Sequence, residues 1–434
     1  MTVLLVVPDY ASHWYPMSAM GQAWLDAGER VVVATGPVLR PLIDAAGFEW
    51  TELRLGSGSN PGVIRAADQP AGEDDHLRGF FAATTRGPVA TLAYQASGRT
   101  RDLLWRPADV TRRLAAILAG IQPTQIIADH ISFGVTLALR ALGASWAAFV
   151  PGHPAALPGP GEVYGLPPAW PSRLRPPNDE LGHLRACCEA AAALFTAEFN
   201  DTLERLRPGA KPVADAFAVV PGTVLYNYPA PLHDPARRAH PGIFLGSCVR
   251  SQPLSPPLAS RLAGTRRRAP TVYVSFGSFL SVRDDVLTVV VAGLRSLGIR
   301  GVVAAGSADP SRWNIPDGWI VAPSLPQVAV LDHVDAVVCH AGNNTVTEAL
   351  TAGVPVVALP FSTDQFAIAA DLERTGLGVA GPPNELTPPE VASLVEAALT
   401  TCASPAAALG ESLRAQPGPR QARAAPNGAR PDVP

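Results

Sequence analysis

The sequence predicts an α/β protein built from two doubly wound domains that face each other across a cleft. Its 434 residues are too many for one hydrophobic core, because domains usually hold about 100–200 residues. Short apolar runs typical of strands buried on both faces alternate with amphipathic helical runs in both halves of the chain. Between residues 227 and 270 this alternation breaks down in a proline-rich stretch, which indicates the connection between the domains.

Composition narrows the functional classes. A net charge of −3 creates no field that would attract nucleic acid or an anionic membrane. Five cysteines without metal-ligand spacing indicate reduced, buried thiols, as in a cytoplasmic protein. The apolar N-terminal run is too short for a signal peptide, and no window of about 18 uncharged apolar residues predicts a membrane span.

The stretch 335–378 is the most informative part of the sequence about a binding site, because it predicts two buried strands that are joined by a polar turn and a helix. A parallel crossover places such a turn at the carboxyl edge of the sheet, where the free N–H groups of the first helical turn bind anions. The turn Gly342–Thr345 is therefore predicted to hold a phosphate or pyrophosphate, with His340 as a further donor. The spacing of Thr345 and Glu348 equally fits a capping box, in which both side chains only satisfy backbone donors.

Two further strand ends carry residues suited to proton transfer. His13 falls in the predicted loop after the strand Val3–Val7, and an imidazole with a pKa near about 6.5 accepts a proton at neutral pH. Asp129 follows another predicted strand, where an acid can orient and charge-stabilise a nearby imidazole. A loop histidine is more often a surface residue, and the aspartate equally fits as the cap of a helix over 133–142.

Together these motifs resemble the GT-B glycosyltransferases that use nucleotide-sugar donors, a family that includes natural-product and macrolide enzymes. The resemblance covers almost the whole chain, and its most specific part is the run from His340 to Pro355 followed by Asp364-Gln365. The other matching motifs are Ser12-His13-x-x-Pro16, Ala128-Asp129, Val274-Ser-Phe-Gly-Ser278 and Pro326-Gln327. Ser12, Ser324 and Asn343-Asn344 depart from the glycine, tryptophan and glycine-rich turn that are usual in the family.

The resemblance implies a GT-B fold of two Rossmann-like domains whose last helix crosses back to the first domain. The predicted division is 1–232 for the acceptor domain, 233–270 for the connection, 271–404 for the nucleotide-sugar domain, 405–425 for the crossing helix and 426–434 for a disordered tail. The resemblance also implies that His13 is the general base and that Asp129 forms a hydrogen bond with the ring nitrogen of His13 that faces away from the acceptor. The donor site would comprise Ser278, Gln327, His340, Gly342, Asn344, Thr345, Glu348, Asp364 and Gln365.

The implied activity is inverting transfer of a hexose or deoxyhexose from a UDP- or dTDP-sugar to a hydroxyl group of a lipophilic, polyketide-like acceptor. Aromatic residues of the first half are predicted to line the acceptor pocket, although such stripes are more often core: Trp14, Phe80, Phe81 and Tyr94. No metal or other cofactor is expected, and the chain is expected to act in the cytoplasm as a monomer or homodimer. The alternatives are a nucleotide-sugar epimerase or hydrolase of the same fold, and a catalytically silent binding partner.

Overall fold

The structure is a computed structural model that describes residues 1–56, 58, 60, 73–263 and 269–425, without the side chains of residues 73, 74, 99–102 and 278. The predicted tail 426–434 lies outside the described residues. So does the side chain of Ser278, although its backbone is described.

The first domain is built on a parallel sheet that has seven strands in the described part of the chain, in the order β3-β2-β1-β4-β5-β6-β7. The strands are β1 (Thr2–Val6), β2 (Arg30–Thr35), β3 (Glu49–Glu52), β4 (Gln125–Asp129), β5 (Ala147–Val150), β6 (Thr223–Tyr226) and β7 (Ile243–Phe244). The helices are α1 (Ala11–Leu25), α2 (Arg40–Ala45), α3 (Glu73–Thr85), α4 (Pro88–Asp102), α5 (Pro107–Ile121), α6 (Phe133–Leu142) and α7 (Asn178–Leu206).

The second domain repeats this plan on a parallel sheet with the order β10-β9-β8-β11-β12-β13. The strands are β8 (Thr271–Ser275), β9 (Arg300–Ala304), β10 (Ile320–Ala322), β11 (Ala336–Cys339), β12 (Val356–Ala358) and β13 (Gly378–Ala380). The helices, from the connection onward, are α8 (Pro256–Ala263), α9 (Gly277–Leu280), α10 (Asp284–Ser296), α11 (Gln327–Leu331), α12 (Asn343–Ala352), α13 (Gln365–Thr375), α14 (Pro388–Ala397), α15 (Ala403–Ala415) and α16 (Gly418–Ala424). The α/β prediction of two doubly wound domains is therefore confirmed.

Strand order reverses between β1 and β4 in the first sheet and between β8 and β11 in the second. At such a switch point the loops that leave two neighbouring strands diverge to opposite faces and open a crevice at the carboxyl edge. The crevice of the first sheet receives the start of α1 and the end of β4, and that of the second sheet receives the start of α12. The topology therefore brings His13 and Asp129 to one crevice and His340 to the other.

The domains share a buried seam. One apolar cluster runs from Val150 and Tyr228 of the first domain to Tyr273 and Ile368 of the second. Beside it, the Asp371 carboxylate of α13 accepts a hydrogen bond from the Tyr228 hydroxyl at 2.8 Å and contacts Nε2 of the first-domain residue His153 at 3.1 Å. These contacts fix how the two crevices face each other.

The predicted connection 233–270 is partly wrong, because it contains β7, which pairs with β6 of the first sheet. The first domain therefore extends to Phe244 rather than to residue 232. A strand of two residues is too short to show a period of two in the sequence, so no pattern indicated it.

The end of the chain crosses back as expected, but in two helices rather than one. The first, α15, packs on α12 of the second domain, and the second, α16, packs on α1 of the first domain. The chain turns between them at Pro417, which cannot continue α15 and suits the start of α16. Ala422 of α16 is fully buried in the core of the first domain.

Among the described residues, the helical stretch Pro388–Ala415 has the length and composition that could cross a membrane. It joins α14 and α15 through a π-helical turn, Ala398–Cys402. Its residues Val391 and Val395 are buried in the core of the second domain.

We expect Ala422→Asp to lower the free energy of unfolding by about 3 kcal/mol, because the new carboxylate would lie unpaired in an apolar cluster. Urea unfolding followed by tryptophan fluorescence measures the change. As a control, Arg423→Ala removes a partly exposed ion pair with Glu29 at 2.8 Å and should cost less than about 1 kcal/mol. Equal stability of the Ala422→Asp variant and the wild type would contradict the packing of α16 on the first domain.

Candidate active site

A cavity of about 770 Å³ opens between the two domains, at the carboxyl edges of both sheets. His13 lines it from the first domain. The predicted donor residues whose side chains are described all line it from the second domain: Gln327, His340, Gly342, Asn344, Thr345, Glu348, Asp364 and Gln365. The cavity has the size that small-molecule sites in proteins usually have.

His13 and Asp129 form the hydrogen-bonded pair that the sequence predicts. Nδ1 of His13 lies 2.7 Å from Oδ2 of Asp129, whose side chain is fully buried, while the His13 side chain is 22% exposed. Because the carboxylate accepts this bond, Nδ1 carries the proton and Nε2 is left as the basic nitrogen. His13 is the third residue of α1 and not a loop residue, so the helix fixes its position.

Both carboxylate oxygens of Asp129 accept hydrogen bonds, and Oδ2 accepts the one from His13. Its other oxygen, Oδ1, accepts the backbone N–H of Ile131 at 3.1 Å, and the N-cap of α6 is Ser132. The alternative that Asp129 caps the helix is therefore wrong. The neighbouring His130 is buried, and burial lowers its pKa. It thus stays neutral beside the Asp129 carboxylate.

The first turn of α12 bridges the two domains. Gly342 is its N-cap, so the helix begins two residues before Thr345. Asn344 donates from Nδ2 to the carbonyl of Ser12 at 2.6 Å, and Asn343 donates to the carbonyls of Pro151 and Asn227 at 2.6 and 2.9 Å. This bond places the helix N-terminus next to the residue before His13, and the predicted phosphate contact of Asn344 stays a prediction.

The His340 ring lies between two glycines of this site. A Cβ atom on Gly277 would lie 2.9 Å from the ring, and one on Gly342 would lie 2.3 Å from it, so both positions require glycine. Burial lowers the pKa of His340 to about 4. The imidazole is therefore neutral at neutral pH, although a backbone hydrogen bond with Ser275 opposes this effect.

Two residues with side chains adopt left-handed backbone conformations beside the cavity. Ala341 has φ 60° and precedes the N-cap of α12, and Thr363 has φ 52° and precedes Asp364. Such conformations cost about 1–3 kcal/mol each and persist where the surrounding structure imposes them, often at functional sites.

Glu348 does not form the capping box that Thr345-x-x-Glu348 allows, because Thr345 is the third and Glu348 the sixth residue of α12. Its oxygens instead accept hydrogen bonds from Nη1 of Arg250 at 2.8 Å and from Nε2 of Gln327 at 2.6 Å. Burial raises the pKa of Glu348, and Arg250 opposes that effect.

Asp364 and Gln365 differ in what they offer a ligand. Asp364 accepts the backbone N–H of His153 at 2.8 Å on Oδ2, while Gly152 beside it leaves room for the carboxylate. Gln365 is buried, and its Oε1 accepts the backbone N–H groups of Phe361 and Ser362 at 2.9 and 3.1 Å. The carbonyl oxygen of the Gln365 side chain thus fixes this turn, and its predicted sugar contact stays a prediction.

Of the four aromatic residues predicted for the acceptor pocket, Phe80 lines the cavity. Trp14 is only 2% exposed and packs edge-on against Phe48 in the first-domain core, because its position on α1 points toward the sheet. Phe81 packs against Phe80, and Tyr94 donates to the carbonyl of His76 at 3.1 Å, without lining the cavity in the described part of the chain.

Apolar side chains of both domains line the cavity. In the first domain they come from α3, with Leu77 and Phe80, and from loops, with Ile131, Tyr164, Leu166, Pro167 and Pro168. In the second domain they include Phe276, Phe279 and Leu325. Sequence reasoning also missed Arg250, an arginine of the proline-rich connection that reaches the donor side. No local pattern marks such residues, because loop composition does not encode which side chains converge.

The pKa of His340 has a consequence for stability. Folded His340 binds a proton only near pH 4, whereas an unfolded histidine binds one below about pH 6.5. The contribution of the neutral His340 to the free energy of unfolding is therefore complete above about pH 6.5 and is lost as the pH falls toward 4.

We expect His340→Gln to reduce the loss of unfolding free energy between pH 7 and pH 5 by about 2 kcal/mol. Urea unfolding at both pH values measures it. His183→Gln, at an exposed position on α7, is the control and should leave the loss unchanged. Identical pH dependence in the wild type and the His340→Gln variant would show that His340 titrates normally.

Residues 215–402 match the model of the family described as UDP-glucoronosyl and UDP-glucosyl transferase. A PGL/p-HBAD biosynthesis glycosyltransferase of Mycobacterium tuberculosis is 34% identical over 157 residues, which are 36% of this chain and 36% of that protein. The chain thus matches about a third of the length of this curated relative.

Solved structures match over nearly the whole chain. The glycotransferase of kitacinnamycin superimposes with a TM-score of 0.66 at 18% identity, over 98% of this chain and 97% of that chain. The spinosyn rhamnosyltransferase SpnG, complexed with thymidine diphosphate, gives 0.64 at 19% identity, over 98% and 99%. The resemblance inferred from the motifs is confirmed: the chain has the GT-B fold, and its residues 215–402 carry the sequence pattern of the UDP-glucoronosyl and UDP-glucosyl transferase family.

Proposed function

We propose that this protein is an inverting glycosyltransferase that moves a hexose or deoxyhexose from a UDP- or dTDP-sugar to a hydroxyl group of a lipophilic small molecule. One observation carries the proposal: the His13–Asp129 pair and the N-terminus of α12 meet in one cavity, where Asn344 contacts the Ser12 carbonyl at 2.6 Å. A base for the acceptor and an anion site for the leaving group are thereby adjacent.

The reaction is a single displacement. Nε2 of His13 takes the proton of the acceptor hydroxyl while its oxygen attacks the anomeric carbon. The bond from that carbon to the diphosphate oxygen breaks as the new glycosidic bond forms on the opposite face, so the configuration inverts. Asp129 stabilises the imidazolium that results, because its carboxylate holds Nδ1–H at 2.7 Å.

The leaving group is a nucleoside diphosphate whose charge grows as the bond breaks. The first-turn N–H groups of α12, behind the N-cap Gly342, point to the side where the helix dipole favours negative charge. The neutral His340 ring adds an N–H donor between Gly277 and Gly342. These groups are fixed before the reaction and need no rearrangement.

The acceptor is proposed from the apolar wall around Phe80, Leu166 and Pro167. The relatives support this choice, because they are named as glycosyltransferases of mycobacterial PGL/p-HBAD biosynthesis, of kitacinnamycin and of spinosyn. The last is bound to thymidine diphosphate, which supports a nucleotide-sugar donor.

Incubation with UDP-glucose or dTDP-glucose and a panel of hydroxylated aglycones, followed by mass spectrometry, tests the function. We expect a glycoside that forms only when both substrates are present, with inverted anomeric configuration in its NMR coupling constants. Conversion of the donor without acceptor would indicate an epimerase or hydrolase instead. Nucleotide binding without turnover across the panel would indicate a silent binding protein.

His13→Ala should reduce kcat by about 10³-fold, because it removes the general base. Affinity for UDP, measured by calorimetry, should change less than about twofold, since the donor residues are on the other domain. His183→Ala, an exposed change on α7, should keep full activity. Loss of nucleotide binding together with transfer would contradict the role of His13.

Asp129→Asn should reduce kcat by about 10²–10⁴-fold, because an amide can donate to Nδ1 and hold the wrong tautomer of His13. The pH–rate profile is the readout, and activity should recover partly at high pH. Wild-type kcat in this variant would show that the pair is structural.

A further inference from the structure

Positive charge on the cavity wall is scarce. Among the described residues that line the cavity, Arg250 is the one arginine or lysine, and it comes from the connection after β7. Glu348 and Asp364 supply carboxylates to the same wall. A single guanidinium at this place therefore has a large effect on the field inside the cavity.

Arg250 joins elements of both domains. Its Nη1 lies 2.8 Å from Oε1 of Glu348, and its guanidinium carbon lies 4.0 Å from the ring centroid of Tyr15. Tyr15 is on α1, two residues after His13. The side chains of Arg250 and Glu348 are 19% and 5% exposed, so water screens this ion pair weakly.

The Glu348 carboxylate is held at both oxygens. Arg250 occupies one lone pair of Oε1, and Gln327 occupies one lone pair of Oε2 at 2.6 Å. An ionised carboxylate offers about four such sites, so one remains on each oxygen. Two acceptors held side by side match two neighbouring hydroxyl groups, as on a ribose ring.

We infer that Arg250 is a positioning residue for nucleotide recognition, which fixes the Glu348 carboxylate so that it accepts hydrogen bonds from the ribose hydroxyl groups of the donor. This inference rests on the proposed function, since it requires a nucleoside diphosphate in the cavity.

The ion pair also sets the charge of Glu348. Burial raises the pKa of this carboxyl group, and Arg250 is the largest influence that lowers it. The charged and titratable groups that act on Glu348 are Arg250 from the connection and Tyr273 from β8. Without Arg250, Glu348 takes up a proton more easily, and a neutral carboxyl group accepts a hydrogen bond from a hydroxyl group more weakly than a carboxylate does.

The test compares UDP with 2′,3′-dideoxyuridine diphosphate by calorimetry, without acceptor. The wild type should bind UDP about tenfold more tightly, because hydrogen bonds to a charged acceptor are lost in the dideoxy analogue. Arg250→Met should lose most of this preference while binding the dideoxy analogue within about twofold of the wild type. Arg295→Met, an exposed change on α10, is the control and should keep the preference.

The pH dependence separates this role from a general packing role. Both nucleotides carry the same titrating terminal phosphate, so the ratio of the two affinities is the readout. This ratio should not change with pH in the wild type, whereas in Arg250→Met it should shift in favour of UDP as the pH rises and Glu348 loses its proton. Arg250→Met combined with Glu348→Gln should bind UDP no more weakly than Glu348→Gln alone, because Arg250 acts through Glu348.

An unchanged UDP preference in a folded Arg250→Met variant overturns the inference and leaves the proposed function intact. If that variant does not fold, Arg250→Lys decides: a lysine keeps the charge without the planar fork, so a partial loss supports the inference and an unchanged preference overturns it. A wild-type protein that binds both nucleotides equally also overturns it. Failure of the wild type to bind either nucleotide would overturn the proposed function and this inference together.

Discussion

The contact between the first turn of α12 and the first domain is the constraint on which the rest of the site depends. Two adjacent asparagines make it: Asn344 bonds to the Ser12 carbonyl at 2.6 Å, and Asn343 bonds to the carbonyls of Pro151 and Asn227. All three acceptors are backbone groups, whose positions the first domain sets. The helix N-terminus is therefore held at a fixed place relative to His13.

Residues of the same type lie in different surroundings near this contact. Burial lowers the pKa of His340 to about 4, so this imidazole is neutral at neutral pH. The His13 imidazole is more exposed and forms a hydrogen bond with the buried Asp129. Glu348 is buried as well, but Arg250 compensates its charge at 2.8 Å. The two histidines therefore differ in burial and in partner, which residue type alone does not indicate.

Glycines in the backbone around the cavity allow neighbouring side chains to pack closely against it. Glycines at 277 and 342 make room for the His340 ring, and Gly152 leaves room for Asp364 to reach the N–H of His153. Ala341 and Thr363 accept left-handed conformations at the two turns that carry these groups. The buried seam with Asp371, Tyr228 and the shared apolar cluster stabilises these turns, which local sequence alone would not favour.

Several features can be predicted from the sequence: the α/β class, the alternation of strands and helices, the end of α12 at Gly353, and the position of His13, Asp129 and His340 at sheet edges. They follow from burial periodicity and from glycine and proline signals, which are local, and from the rule that parallel strands end on one side. The bond of Asn344 to Ser12, 332 positions away, and the pair of Arg250 with Glu348, 98 positions away, arise only when the two domains pack. The tertiary structure also decided that Trp14 points into the core, that Gln365 fixes a turn, and that β7 extends the first sheet. Such outcomes depend on which distant surfaces meet when two domains pack, and no local pattern contains that information.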